Sequence, residues 1–267
     1  MGFFARLGKA VAGRRSPLCL NLDPDPGRLP VGVGLVEFNL RLVEATADLV
    51  AAYKLNFAFY EAQGLPGLAA LEKTRQAVPP DVVVIADAKR ADIPNSARFY
   101  ARAVFETWAF DAVTVNPYLG YDAVEPFLEY PGRGVYLLAR TSNPGARDFQ
   151  DLPVGPEGRP LYQVVALRAR EWARGRDLGL VVGATYPAEL AALRRLVPDL
   201  PFLVPGVGAQ GGDLTAAVRF GGTGRPGGLL VAVGRQAVYA SRGPDFAGAC
   251  REVLTAMLGE IRRLEGA

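Results

Sequence analysis

The chain has no histidine among its 267 residues, and that absence removes Ser-His-Asp and Cys-His nucleophilic catalysis, histidine general bases and histidine-ligated zinc. Cysteine is nearly as scarce. Cys19 and Cys250 are too few for a disulfide framework or a multi-cysteine metal site, and both read as small buried hydrophobes, one in the first strand and one in the last helix. No apolar run approaches the roughly 20 residues that span a bilayer. The opening GFFARLGKAVAGRRSP (2–17) has too short an apolar stretch and too many charges for a signal peptide and reads as an amphipathic first helix, so a cytoplasmic location is expected. Charge of one sign forms no block either: 30 basic and 27 acidic residues leave +3. That balance points away from nucleic acid or a membrane as partner and leaves room for one anionic ligand pocket.

Lysine is the last scarcity. Only four of the 30 basic residues are lysines, Lys9, Lys54, Lys73 and Lys89, so in a chain this biased toward arginine each one raises the question of whether arginine could replace it. Without histidine, the chemistry falls to carboxylates, lysines, hydroxyls and backbone groups.

What is present is a regular alternation. Apolar or β-branched runs at 17–24, 49–57, 81–89, 111–117, 134–141, 178–185, 201–208 and 228–235 are separated by helical patterns near 34–48, 62–77, 95–108, 121–129, 160–174, 187–197 and 213–220, with a closing helix near 244–264. The runs are apolar throughout, as expected of parallel strands covered on both faces. Eight βα units in about 250 residues predict an α/β fold, a closed (β/α)8 TIM barrel over 1–267 with an extra N-terminal helix, in preference to an open doubly wound sheet. Two loop-rich stretches, Thr141 to Pro160 and Gly221 to Gly228, are long for such a barrel, and long loops are often functional.

In barrels of this type the active site is built at the C-terminal strand ends. The densest feature there is Asp87-Ala88-Lys89-Arg90-Ala91-Asp92. Residues two apart on a strand face one side, so Asp87 and Lys89 point together into the barrel mouth, with Lys54 on the neighbouring strand and Asp92 in the loop beyond. Alternating carboxylates and ammoniums keep each other ionised, which makes the lysines charged acids rather than Schiff-base nucleophiles. On spacing alone, a structural ion-pair network at the rim is the other reading. A second feature is the glycine-rich GVGAQGG (206–212), expected to bring backbone N–H groups and the Gln210 amide to one point beside Gly234 and Arg235 at the end of strand eight. Loops after strands seven and eight commonly hold phosphate, and a bidentate guanidinium suits a phosphate dianion; a tight turn with a surface arginine is the plainer alternative. Asp23, Asn116, Thr141, Ser142 and Asn143 also stand at strand ends.

These pieces together resemble the orotidine 5′-monophosphate decarboxylases, in particular their longer bacterial and mycobacterial-type branch. The matching stretches run almost end to end: LNLDP, YKLNFAFYE, IADAKRADI, NPYLG, RTSNPGA, VPGVGAQGG and VGR. The resemblance implies that Lys54, Asp87, Lys89 and Asp92 form a charged catalytic tetrad with Lys89 as proton donor. It also implies a homodimer in which Asp92 reaches the partner's site. Asp23 is similar to the carboxylate that holds the ribose hydroxyls, Ser142 to the group that reads the pyrimidine edge, and Gln210 with Gly234 and Arg235 to the phosphate grip. Asn116 opens the NPYLG stretch among the substrate-binding residues, and Ser96 stands where a small hydroxyl residue comes from the partner. No metal and no cofactor is implied; the substrate is the nucleotide orotidine 5′-monophosphate.

Two other readings compete. One is a Mg²⁺-dependent sugar-phosphate decarboxylase or aldolase-type barrel enzyme that uses a similar D-x-K-x-x-D, to which an added acidic ligand or a histidine would point, or a Schiff-base aldolase, which needs a neutral lysine. The other is a non-catalytic nucleotide-binding barrel.

Overall fold

The eight apolar runs become eight parallel strands whose sheet closes on itself. The computed structural model describes residues 1–208 and 211–265. Its strands are β1 (Leu18–Asn21), β2 (Ala52–Asn56), β3 (Val83–Arg90), β4 (Ala112–Val115), β5 (Gly134–Arg140), β6 (Leu178–Val182), β7 (Phe202–Pro205) and β8 (Leu229–Val233). Each pairs with its neighbours in sequence, and β8 pairs with β1 to complete a (β/α)8 barrel. The intervening helices Leu35–Thr46, Gly64–Ala77, Pro94–Arg102, Tyr121–Leu128, Leu161–Trp172, Pro187–Leu196 and Leu214–Gly221, with Phe246–Glu265 last, lie within two residues of most of the expected bounds. Among the described residues no helix is long and apolar enough to cross a membrane.

Alternate strand residues point to opposite faces. Leu18, Leu20, Val84, Val113, Val135 and Leu180 pack outward under the helices, whereas Cys19, Ala52, Val83, Ile85, Ala112, Tyr136, Leu203 and Leu230 fill the barrel. The N-terminal helix Phe3–Arg14 adds Phe3, Leu7 and Ala10 to that inner cluster and so closes the end of the barrel away from the strand C-termini. Fully burying a large apolar side chain is worth about 1.5–3 kcal/mol, and Phe3 and Leu7 are both 0% exposed. Polar contacts fix the helix in place: the Asp177 carboxylate accepts the Phe3 and Phe4 N–H groups at 2.9 and 3.2 Å, and Arg6 pairs with Asp111 at 3.0 Å.

Three details differ from the expected pattern. The helix predicted to reach residue 108 ends at Arg102 and runs through a π turn at Ala103–Thr107, after which Ala109 takes φ +54° and its carbonyl accepts two bonds from Arg75 at 3.1 and 2.8 Å. A short helix, Phe57–Glu61, precedes Gly64–Ala77. The Gly221–Gly228 stretch leads into the start of β8, so it lies at the closed end of the barrel, where a Cβ on Gly8 would fall 2.9 Å from the Pro226 carbonyl oxygen. It packs against the N-terminal helix instead of shaping the mouth. The other long loop, Thr141 to Pro160, does leave the C-terminal end of a strand and folds back through a small hairpin, Pro153–Val154 with Arg159–Pro160.

Candidate active site

Extending the inward-facing rows past the packed interior gives Asn21 and Asp23 from β1, Lys54 and Asn56 from β2, Asp87 from β3 and Thr114 and Asn116 from β4. Lys54 and Asp87 are buried, 4% and 8% exposed, and joined by a short hydrogen-bonded ion pair. The other Asp87 oxygen accepts the Lys89 ammonium at 2.6 Å. Burial alone would push the Asp87 carboxyl up, but the charges of Lys54 and Lys89 and the bonds they donate hold it well below the ordinary carboxylate range. Burial would likewise lower the Lys54 ammonium, yet Asp87 and Asp23 raise it above its usual value. Lys54 is therefore a fixed positive charge, which opposes a Schiff-base role for it.

Lys89 reaches Asp87 by a route that simple alternation does not give. The pairing of β3 with β4 slips between Ala86 and Arg90, and Lys89 adopts φ +46°, a conformation costly for a residue with a Cβ. Thr114 holds the distortion. Its hydroxyl accepts the Lys89 N–H at 3.0 Å and donates to Asp87 Oδ1 at 3.0 Å. In the sequence Thr114 is one polar residue within the apolar run 111–117, which is the only local sign of this role.

Asp23 faces the same array. Its carboxylate accepts the Asn56 N–H at 3.3 Å, and burial raises its pKa despite the nearby Lys54. Aromatic hydroxyls that sequence reasoning missed hold its backbone: Tyr239 donates to the Asp23 carbonyl at 2.9 Å and accepts the Asp25 N–H at 2.6 Å, while Tyr60 donates to the Leu22 carbonyl at 2.8 Å. Beneath the array, burial pushes the Cys19 thiol up to about 12, in keeping with an inert small hydrophobe.

The remaining predicted residues are less tightly gathered. Asp92 does not join Lys54 and Lys89; its carboxylate accepts the N–H of Ile93 at 2.8 Å and makes no ion pair among the described residues. Ser96 lies in the first turns of Pro94–Arg102, partly exposed. Asn116 caps its own turn, accepting the Tyr118 N–H at 3.0 Å. Ser142 packs on Gly183, where a Cβ would fall 2.8 Å from the Ser142 Cα, and its carbonyl accepts from the Thr185 hydroxyl at 3.2 Å. Gly234 lies against the Asn21 amide and opens a short helical turn, Arg235–Val238, that leaves Arg235 exposed. Arg235 shares a cleft with Arg28, Gly208 and Gln236; Arg28 was not foreseen, and it is held over the Tyr239 ring at 4.0 Å. Gln210 lies outside the described residues. Among the described residues of the glycine-rich loop, Gly208, Gly211 and Gly212 donate within the loop to Gly212, Gly208 and Gly206 at 3.0, 2.7 and 3.0 Å.

Residues 16–249 match the model of the "Orotidine 5'-phosphate decarboxylase / HUMPS family". The chain is 52% identical over 270 residues, 99% of its own length and 96% of the relative's, to a Thermomicrobium roseum protein named orotidine 5′-phosphate decarboxylase. Among solved structures it is similar to Leishmania donovani OMP decarboxylase, with TM-score 0.84, 39% identity and full coverage of both chains. It is also similar to Leishmania donovani UMP synthase, with TM-score 0.85, 42% identity, and 98% of this chain against 57% of that longer one. By descent and by architecture, the chain belongs to the orotidine 5′-phosphate decarboxylase family.

Proposed function

We propose that this barrel decarboxylates orotidine 5′-monophosphate to uridine 5′-monophosphate and CO₂, the last step of de novo pyrimidine nucleotide synthesis, with Lys89 as the proton donor and without metal or cofactor. The observation that carries the assignment is the inequality of the two lysines on Asp87. Lys54 has a side chain only 5% exposed and that of Lys89 is 48% exposed at the mouth, so Lys89 is the ammonium that a bound pyrimidine can meet.

The chemistry follows from that placement. When the bond from C6 to the carboxylate breaks, CO₂ leaves and the electron pair stays on C6, with no adjacent group to delocalise it. A fixed ammonium stabilises this developing charge more than it stabilises the diffuse carboxylate of the ground state. The Lys89 Nζ proton then passes to C6, and solvent returns a proton to the amine. Asp87 aims Lys89, and Lys54 keeps Asp87 ionised.

Binding of the rest of the nucleotide distributes over the mouth. Asp23 takes the ribose hydroxyls, Ser142 reads the pyrimidine edge with Asn116 and Ser96 nearby, and Gly234 with Arg235 and Gln210 grips the phosphate. Arg28, in the same cleft as Arg235, adds a second guanidinium suited to a dianion. Asp92 completes the tetrad across a homodimer interface. Ile93, Phe99 and Tyr100 following it and Tyr118 on the next loop are exposed apolar or aromatic groups, which supports a covered surface there. The chain acts as one barrel domain in the cytoplasm.

Product analysis tests the reaction. Turnover in D₂O yields uridine 5′-monophosphate carrying one deuterium at C6, with equimolar CO₂. Binding without CO₂ release would instead make the chain a nucleotide-binding barrel.

A further inference from the structure

Among the described residues, Arg140 is the one arginine drawn wholly inside the molecule, 1% exposed at the C-terminal end of β5. The sequence run GVYLLART hides it, since nothing there distinguishes it from a strand-end surface residue. Its guanidinium pairs with Asp151, Nη2 donating to Oδ2 at 3.2 Å, while Nε lies 2.9 Å from Oδ1 as an ion-pair contact without hydrogen-bond geometry. A third nitrogen, Nη1, donates to the Thr141 carbonyl at 2.8 Å, and the Tyr186 ring covers the plane at 4.1 Å.

These contacts tie two loops and a strand end together at one point. Asp151 comes from the long loop after β5, Tyr186 from the turn after β6, and Thr141 immediately precedes Ser142. The Thr141 carbonyl belongs to the peptide whose nitrogen is that of Ser142, so the guanidinium sets the plane of the bond that leads into Ser142. Gly183 fixes the other side, since a Cβ there would fall 2.8 Å from both the Ser142 nitrogen and its Cα. A buried guanidinium held by a carboxylate, a carbonyl and an aromatic face is a rigid device, because its planar, always-charged group loses these partners together if it turns.

We propose that Arg140, locked by Asp151 and Tyr186, is a positioning residue that sets the Ser142 backbone and thereby the pyrimidine-reading edge of the site. This rests on the reading of Ser142 given above. Arg140 acts through Ser142 and does not itself touch the nucleotide.

The test leaves the buried arginine in place and loosens its partners, Asp151→Asn and Tyr186→Leu, the second serving should the first melt below assay temperature. Each variant is expected to raise KM for orotidine 5′-monophosphate and Kd for uridine 5′-monophosphate by about tenfold, while the affinity for ribose 5-phosphate, which lacks the base, stays within about twofold. Combined with Ser142→Ala, Asp151→Asn adds no further loss, because both act through one hydroxyl. Equal weakening of ribose 5-phosphate binding, or additive losses in the double variant, would overturn the proposal and leave Arg140 a general structural clamp. If Ser142→Ala alone changes neither constant, the reading of Ser142 fails and this proposal falls with it. A loss with Ser142→Ala and none with either partner variant overturns the positioning role alone.

Discussion

The Thr114 hydroxyl donates to Asp87 at 3.0 Å while accepting the backbone N–H of Lys89 at the same distance, so one buried side chain on β4 holds both ends of the Asp-x-Lys segment. Thr114→Val keeps the shape and removes both bonds. Leaving buried polar groups without partners costs about 1–3 kcal/mol, which in a chain of this size lowers Tm by roughly 2–4 °C for each kcal/mol. Because Lys89 loses its anchor, kcat is expected to fall by at least about tenfold. A Thr114→Val enzyme with unchanged kcat, measured on folded protein, would show that the Lys89 conformation is held from elsewhere.

Lys89→Arg keeps the positive charge and removes the transferable proton, since arginine does not deprotonate in proteins. The variant is expected to fold with near-normal circular dichroism and to lose catalysis by many orders of magnitude. Retention of more than about a tenth of the wild-type rate, about 1.4 kcal/mol of barrier, would remove Lys89 from the donor role.

Asp23 makes the pH prediction. Burial raises its carboxyl above the ordinary 3.8. A group whose pKa is higher folded than unfolded contributes stability that is fully present below the unfolded value and is lost as pH rises through the folded one. Once ionised, the buried carboxylate therefore opposes folding, and Asp23→Asn relieves it. Melting curves should show the variant gaining on wild type as pH rises above the ordinary carboxylate range, by roughly 2–4 °C for each kcal/mol relieved. The advantage is lost as pH falls through the raised folded value toward the ordinary 3.8, below which Asp23 is neutral in both states. Substrate affinity falls in the same variant. A variant Tm that falls further behind wild type as pH rises would mean that the bonds of Asp23 outweigh its burial.

The position of Asp92, apart from both lysines in its own chain, gives a complementation experiment. Lys89→Arg and Asp92→Ala are each inactive alone, but a shared site predicts that mixing and re-associating them restores activity. With random pairing, half the dimers are mixed and each holds one intact site, so recovery reaches about a quarter of wild type. No recovery, with mixed dimers demonstrated by mass, places Asp92 in its own subunit's site.

Much of this was legible in the residues because parallel barrel strands are buried on both faces and so announce themselves as unbroken apolar runs. The D-x-K-x-x-D segment was legible for a related reason: charges at the end of such a run have nowhere to go but the mouth. The route taken by Lys89 was not, because a register slip is decided by a partner strand, and Thr114 on that strand looks like any tolerated polar residue. Arg140 was hidden likewise, since whether an arginine at a strand end is buried depends on Asp151 and Tyr186 folding back over it from other loops. The Gly221–Gly228 loop misled because length marks a loop without saying at which end of the barrel it lies. Tyr239 is brought to Asp23 and Arg28 across the β8–β1 closure, contacts spanning more than 200 residues of sequence that no local pattern records.

The central claim, decarboxylation by a charged Asp and Lys array without metal, is tested most directly by assaying the purified protein with orotidine 5′-monophosphate in excess EDTA, following loss of the orotate chromophore together with CO₂ release. The account predicts undiminished turnover in chelator, abolished by Lys89→Arg. No turnover in chelator, with activity on the nucleotide or on sugar phosphates restored by Mg²⁺, would contradict it and reassign the carboxylates to a metal.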